Sequence, residues 1–330
     1  MGAPVQSRET SLPRITILGT HHPDAMELLA ARPEFDVNIV DDPYLPRPHI
    51  EEAIKGTDAI AVRTTKLDAS LLETCPDVRI ISRHGVGTDS VDVAWMSARG
   101  KPVAIAAGGN DRSVAEHTLG MMLSLARDYK SLTKDCHDAH WTPRAEVPSF
   151  DLQERTLLIV GHGRIGSRVA ELARVFGMRV LVSDPYINVP EGVEAVTLEQ
   201  GVAEADIVTV HCFKNEETTG LIGTDAIAAM KPGAILINCA RGGIVDEDAC
   251  AAALHSGHLR GYGCDVFSVE PMTPDNPILS APNTILTPHS AATTPQGTRK
   301  MSIIGIQNVL DCFDGKLRPE MVFNRQELGL

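Results

Sequence analysis

Aromatic residues are scarce in this chain, at 4% of 330 residues. That scarcity excludes the array of stacking rings on which sequence-tolerant single-strand binders depend. Cations are in deficit too: 30 Lys and Arg against 43 Asp and Glu give a net charge of −13. Bulk electrostatics therefore oppose nucleic acid and anionic membranes, so no partner of either kind is expected. Any anionic substrate must meet a local cationic site. No apolar run approaches the ~18 residues of a membrane span, and no charged-then-apolar signal segment opens the chain. The cysteines (Cys75, Cys136, Cys212, Cys239, Cys250, Cys264, Cys312) are odd in number and form no CxxC pair. Reduced thiols in a cytoplasmic protein are expected. His21-His22 has no further ligand spaced to join it, so no metal is expected.

What is present is alternation. Hydrophobic residues make up 43% of the chain, and its length suits two domains. Residues 1–13 show no period and are expected to form a loose arm. From residue 15, short apolar runs alternate with helical stretches. Strands are expected at 15–19, 35–40, 58–62, 78–82 and 102–106. One long helix is expected over 113–135. A second series of strands follows at 156–160, 179–183, 206–210, 234–238, 261–266 and 284–288, with a closing helix near 295–313. Such alternation predicts parallel sheets covered on both faces.

The second series opens on a glycine-rich turn, Gly161-His162-Gly163-Arg164-Ile165-Gly166, between an apolar strand and an amphipathic helix. In such a turn the first glycine permits the tight bend, the second lets pyrophosphate approach, and the third lets helix and strand pack closely. The helix start adds free N–H groups and partial positive charge. The next strand ends in Asp184, 18 residues beyond Gly166. This is close to the spacing of about 20 expected of the acid that binds both ribose hydroxyls. Pro185 and Tyr186 follow it rather than a basic pair, and a carboxylate there repels a 2′-phosphate. NAD is therefore the expected cofactor.

Three polar residues follow late strands. Arg241 lies in NCARGGIVDE, Glu270 in DVFSVEP and His289 in TPHSAATT. In an open parallel sheet the ligand crevice lies at the carboxyl ends of the strands. Arg241 offers a planar fork for a substrate carboxylate and can polarise a neighbouring keto oxygen. His289 can donate a proton to that oxygen or remove one. Glu270 can accept the other imidazole N–H, fixing the ring and favouring its protonated form. Singly, each has a plainer reading: Arg241 as a cap on the preceding strand or paired with Asp246, Glu270 as a solvated loop acid, His289 as a buried, satisfied histidine.

With these segments in view, the sequence resembles the NAD-dependent D-isomer-specific 2-hydroxyacid dehydrogenases, most of all their phosphoglycerate dehydrogenase branch. The resemblance rests on VRTTKLD (62–68), RHGVGTDSVD (83–92), GGNDRSVAEHTLGMML (108–123), GHGRIG, SDPY, MKPGAILINCARGGIVDE (230–247), CDVFSVEP (264–271) and TPHSAATT (287–294). It implies an α/β protein of two doubly wound parallel-sheet domains with a cleft between them. The substrate domain would be flavodoxin-like, from 1–107 and 293–330. The Rossmann NAD-binding domain would be 108–292 and would form a homodimer. The reaction implied is hydride transfer between NAD(H) and a small D-2-hydroxy acid or 2-oxo acid, of the 3-phosphoglycerate or hydroxypyruvate type.

The resemblance also assigns roles by position. Arg241, Glu270 and His289 would be catalytic. Gly161, Gly163, Arg164, Ile165, Gly166, Asp184, Cys212, Cys239, Ala240, Asp265, His289 and Ala291 would line the cofactor. Arg63, His84, Gly85, Val86, Gly87, Asn110 and Arg241 would face substrate, with Arg63 and Arg83 as candidates for a phosphate or second carboxylate. His117 and His211 are read as structural. His162 and Ser90 depart from the usual family residues. The sequence ends at Leu330, without the regulatory C-terminal domain of longer members, so serine feedback through it is not expected. Two alternatives come with the family: an NAD-sensing corepressor on the same fold, and formate dehydrogenase, in which a glutamine replaces the acid partner of the histidine.

Overall fold

The structure is a computed structural model that describes residues 12–42, 45–187 and 191–330. The arm expected over 1–13 falls almost wholly outside them. The chain divides into two compact units, Met1–Asn110 with Thr294–Leu330, and Asp111–Thr293. Among the described residues no helix is long and apolar enough to cross a membrane.

Among the described residues the first unit holds five parallel strands: β1 (Arg14–Leu18), β2 (Asp36–Val40), β3 (Ala59–Val62), β4 (Ile80–Arg83) and β5 (Val103–Ala104). Their spatial order is β2-β1-β3-β4-β5, the flavodoxin-like order, whose ligand crevice lies where the order reverses, between β1 and β3. Helix Pro295–Phe313 returns to this unit and buries Ile306, Val309 and Leu310 with Ile15, Ile17 and Ile80. A segment near the C-terminus adds an antiparallel bridge, Ala104 to Val322.

Among its described residues the second unit holds seven parallel strands: β6 (Thr156–Val160), β7 (Arg179–Ser183), β8 (Glu194–Ala195), β9 (Ile207–Val210), β10 (Ala234–Asn238), β11 (Leu259–Cys264) and β12 (Thr284–Leu286). The order is β12-β11-β10-β9-β6-β7-β8. Counted from its own first strand, this is the Rossmann order with one further strand, and it reverses between β6 and β9. The central strands β6, β9 and β10 are buried along their whole length because both faces are covered. Leu158 and Val160 of β6 enter one core, with Val208 and Leu236. Leu157 and Ile159 enter the other, with Val180 and Ile235.

Two expectations need correction. The single helix expected over 113–135 is two, Asp111–Arg127 and Tyr129–His137. Asp128 between them has φ 52; a short polar side chain tolerates this left-handed conformation, which ends the first helix. β8 was not expected at all: it is two exposed residues, with no apolar pattern to announce it.

Candidate active site

The glycine turn leaves β6 at the point where the second sheet reverses. Gly161 has φ +90, and a Cβ there would lie 2.6 Å from the backbone nitrogen of Cys212, which follows β9. A Cβ on Gly166 would lie 2.2 Å from the Gly161 carbonyl oxygen, so helix Arg164–Val175 packs on the turn at a distance only glycine allows. Gly163 differs: a Cβ there would meet nothing within 4 Å. It is exposed, caps the helix, and offers no side-chain acceptor to the first-turn N–H groups. Arg164 is exposed and Ile165 half-buried. The open side of a helix start with uncapped amides fits a diphosphate.

Asp184 follows β7 and turns back on the loop. Its Oδ2 accepts from the His162 N–H at 2.8 Å, and its Oδ1 from the Tyr186 N–H at 3.0 Å. Each carboxylate oxygen keeps capacity for a second donor, and ribose hydroxyls are donors of the right kind. Cys239 is buried, and burial pushes its thiol up to about 12. The Cys212 thiol is raised to about 11, again chiefly by burial. Neither is poised to be a nucleophile. His211 is likewise held neutral by burial, at about 3, with Nε2 2.9 Å from Thr209 Oγ1.

Arg241 is carried by a turn that Asn238 closes. The buried Asn238 side chain accepts from the Ala240 N–H at 3.0 Å and donates to the Arg241 carbonyl at 3.0 Å. Gly242 then lies flat on the neighbouring loop: a Cβ would fall 1.8 Å from the Phe267 carbonyl oxygen. That contact puts the Arg241 turn against the loop of Glu270. Glu247 braces the same loop, accepting from the Ser268 N–H at 2.7 Å and from Asn276 Nδ2 at 2.6 Å. The peptide bond Glu270–Pro271 is cis.

Glu270 and His289 meet. His289 Nδ1 lies 2.7 Å from Glu270 Oε2, while Glu270 Oε1 accepts from the Phe267 N–H at 2.9 Å. Partial burial opposes the Glu270 charge. The bonds from His289 and Phe267, with the charges of His289 and Arg241, outweigh it and hold the carboxyl below its ordinary value. Glu270 thus interacts with both His289 and Arg241, as a member of a reacting constellation would.

Asp265 organises the His289 loop. Its carboxylate is buried and accepts from Thr287 Oγ1 at 2.5 Å, the Ser290 N–H at 2.8 Å and the Ala291 N–H at 3.0 Å. Its carbonyl takes the His289 N–H at 2.8 Å. His289 itself has φ 50, a conformation this loop imposes. His117 Nε2, on helix Asp111–Arg127, reaches Thr287 Oγ1 at 3.1 Å. Sequence reasoning assigned Asp265 to the cofactor and His117 to structure. It missed that both support the loop of His289, because those contacts span long stretches of sequence.

In the first unit Arg63 follows β3 at the reversal point of that sheet. A Cβ on Gly19, after β1, would lie 3.2 Å from Arg63 Cβ. Arg83 fastens the following loop: its Nε donates to the Gly87 carbonyl at 2.8 Å and its Nη1 to the Arg63 carbonyl. Gly85 takes φ +143, and Val86 and Gly87 are half-buried. His84 is buried, with Nε2 3.0 Å from Ser302 Oγ, and its imidazole is pushed down to about 4 by burial and by the nearby His21 and Arg63. Asn110 is buried, and its Oδ1 has no hydrogen-bond partner. His21 and His22 serve different ends: His21 Nδ1 faces the Gly19 carbonyl, and His22 Nδ1 accepts from the Asp24 N–H.

Comparison with known proteins agrees with this geometry. Residues 119–291 match the family model described as D-isomer specific 2-hydroxyacid dehydrogenase, NAD binding domain. The D-3-phosphoglycerate dehydrogenase of Mycobacterium tuberculosis is 36% identical over 317 residues, which cover 94% of this chain. They span only 59% of that relative's length. Among solved structures, the TT0316 protein from Thermus thermophilus superimposes with a TM-score of 0.85 at 31% identity, covering 94% of this chain and 99% of the other. D-lactate dehydrogenase from Aquifex aeolicus, complexed with NAD and lactic acid, superimposes with a TM-score of 0.82 at 27% identity, covering 94% and 98%.

Proposed function

Because the chain belongs to the D-isomer specific 2-hydroxyacid dehydrogenases, we propose that it is an NAD-dependent oxidoreductase interconverting a D-2-hydroxy acid and its 2-oxo acid. The substrate is of the 3-phosphoglycerate or hydroxypyruvate type. The observation that carries the reading is the 2.7 Å contact of His289 with Glu270, whose carboxylate also feels Arg241.

The second unit is the cofactor domain in this reading. Gly161, Gly163 and Gly166 with the amides of Arg164 and Ile165 would hold the diphosphate, and Asp184 the adenosine ribose. Cys212, Cys239, Ala240, Asp265 and Ala291 would line the remainder. When bound, NAD(H) supplies or accepts the hydride. Asp184 disfavours a 2′-phosphate by charge, so NAD is preferred to NADP.

The residues divide the rest of the work. Arg241 pairs with the substrate carboxylate and draws electron density from the keto oxygen. His289, with Nδ1 committed to Glu270, uses Nε2 to give that oxygen a proton during reduction and to remove it during oxidation. Glu270 keeps the ring oriented and stabilises the imidazolium form. From the first unit, Arg63, Asn110, His84 and the amides of Gly85, Val86 and Gly87 would select the substrate. The family resemblance further supports a cytoplasmic homodimer joined through the second unit; sedimentation equilibrium tests the dimer.

NADH oxidation across a panel of phosphorylated and unphosphorylated 2-oxo acids tests the proposal. Turnover with hydroxypyruvate or 3-phosphohydroxypyruvate supports it. No turnover across the panel, in a folded protein that binds NADH, rejects it.

A further inference from the structure

The second unit has a cavity of about 420 Å³ that the proposed reaction does not use. It lies at the amino ends of the strands, whereas Arg241, Glu270 and His289 follow carboxyl ends. Arg155 and Asp206 immediately precede β6 and β9, Lys231 stands just before β10, and Arg260 lies at the start of β11. The volume falls in the range of small-ligand sites, roughly 300–1,000 Å³.

Its charge is the opposite of the chain's. Arg155, Lys231 and Arg260 line the cavity, with Asp206 the one carboxylate among its lining residues. Asp206 Oδ1 lies 3.2 Å from Lys231 Nζ and 3.9 Å from Arg155 Nη1, so a single carboxylate is shared between two cations. Its Oδ2 is occupied by the Thr156 N–H at 2.8 Å. Arg260 donates to the carbonyls of Leu125 and Pro148, which orient it without cancelling its charge. Two positive charges are left over in the wall. An adjoining smaller cavity contributes Lys130 and Asp128, one of each sign, and Asp128 is the carboxylate whose charge Arg260 feels.

The cations are also held in place before any ligand arrives. The Phe150 ring lies 4.9 Å from the Arg155 guanidinium carbon and 5.1 Å from that of Arg260. Two guanidinium groups on one ring lose less freedom when they bind an anion than two free side chains would. Burial makes the Arg260 charge costly, and an incoming anion relieves that cost.

We propose that this cavity is a second ligand site, for a small molecule bearing two anionic groups, held by Arg155, Lys231 and Arg260. Phosphate and carboxylate share the required chemistry, because a guanidinium fork accepts either in two-point fashion.

The test is isothermal titration of inorganic pyrophosphate, and separately of succinate, into the NAD-saturated protein at fixed ionic strength. NAD occupies the glycine turn and removes it as a competing phosphate site. The expected result is saturable binding of one or both probes, with the tighter probe identifying the preferred acid. The double variant Lys231→Gln with Arg260→Gln should weaken binding by at least about tenfold, or ~1.4 kcal/mol. Lys231→Arg should retain it. Unchanged NAD affinity in each variant shows that the unit is folded; Lys231→Gln alone serves if the double variant is not. Absence of saturable heat with both probes overturns the proposal. So does equal affinity in the wild type and a folded Gln variant.

Discussion

His289 Nδ1 stands 2.7 Å from Glu270 Oε2, and each of the two loops that bring them together is held by its own carboxylate. Asp265 gathers Thr287, Ser290 and Ala291 behind the histidine. Glu247 gathers Ser268 and Asn276 around the loop of the glutamate. The Arg241 turn lies on that second loop through Gly242. The chemistry therefore rests on loops whose freedom is removed by buried or braced polar groups.

Glu270→Gln should lower kcat by about ten- to a hundredfold, the usual scale for an orienting partner. The amide no longer favours the imidazolium. Reduction needs the protonated imidazole, so the alkaline side of the reduction profile should move to lower pH. Because the Glu270 carboxyl sits below its ordinary value, its contribution is fully present above the unfolded carboxyl value and is lost only as pH falls through the depressed one. The wild-type profile should consequently show no loss attributable to Glu270 near neutrality. Steady-state rates of both proteins from pH 4 to 9 check this, and an unshifted profile argues against the pairing.

Asp265→Ala should be destabilising without touching substrate. It removes one buried acceptor and leaves the Thr287 hydroxyl and the N–H groups of Ser290 and Ala291 without it. A loss of about 3 kcal/mol is expected, read from denaturant unfolding of the second unit. The rate should fall as well, since His289 loses its fixed loop. A change below about 0.5 kcal/mol, the scale of a neutral surface substitution, contradicts the role given to Asp265.

The glycines of the nucleotide turn should separate by function. Gly166→Ala places a methyl against the Gly161 carbonyl and should cost stability, about 1–3 kcal/mol. Gly163→Ala meets no atom within 4 Å, so thermal stability should hold. If the open side of Gly163 is where the diphosphate lies, NADH affinity should nonetheless drop by about tenfold, or ~1.4 kcal/mol. Thermal unfolding and fluorescence titration of each variant decide it. Unchanged NADH affinity in Gly163→Ala excludes that placement.

His84 gives a pH signature to the first unit. Its folded value of about 4 lies below the ordinary 6.5. The unfolded chain binds the proton more readily, so stability is complete above pH 6.5 and declines as pH falls toward 4. The full effect is about 3 kcal/mol by linkage. His84→Asn should flatten this dependence in urea melts between pH 7 and 4, and an equally steep decline would count against it.

Much of this was legible in the sequence because a parallel sheet buries both faces of its strands. Continuous apolar runs such as TLLIV and AILIN then announce themselves and fix the positions that follow them. Gly161, Asp184, Arg241, Glu270 and His289 all come directly after such runs or in the next loop. The break at Asp128 left no comparable mark, since its neighbours carry on the helical pattern and only the left-handed φ ends it. Gly242 was not distinguishable from a flexible turn glycine, because the Phe267 carbonyl it faces comes from another loop. Arg83, a candidate for substrate phosphate, proves to hold the Arg63 and Gly87 carbonyls. The link from His117 through Thr287 to Asp265 joins residues up to 170 positions apart, beyond the reach of local pattern.

The most direct measurement is the reduction of hydroxypyruvate and 3-phosphohydroxypyruvate by the His289→Asn variant, with NADH affinity determined on the same sample. With His289 as the proton carrier, kcat should fall by about 10²–10⁴-fold, while NADH binding stays within about twofold of the wild type, under ~0.5 kcal/mol. A variant that binds NADH normally and still turns over at the wild-type rate contradicts the account.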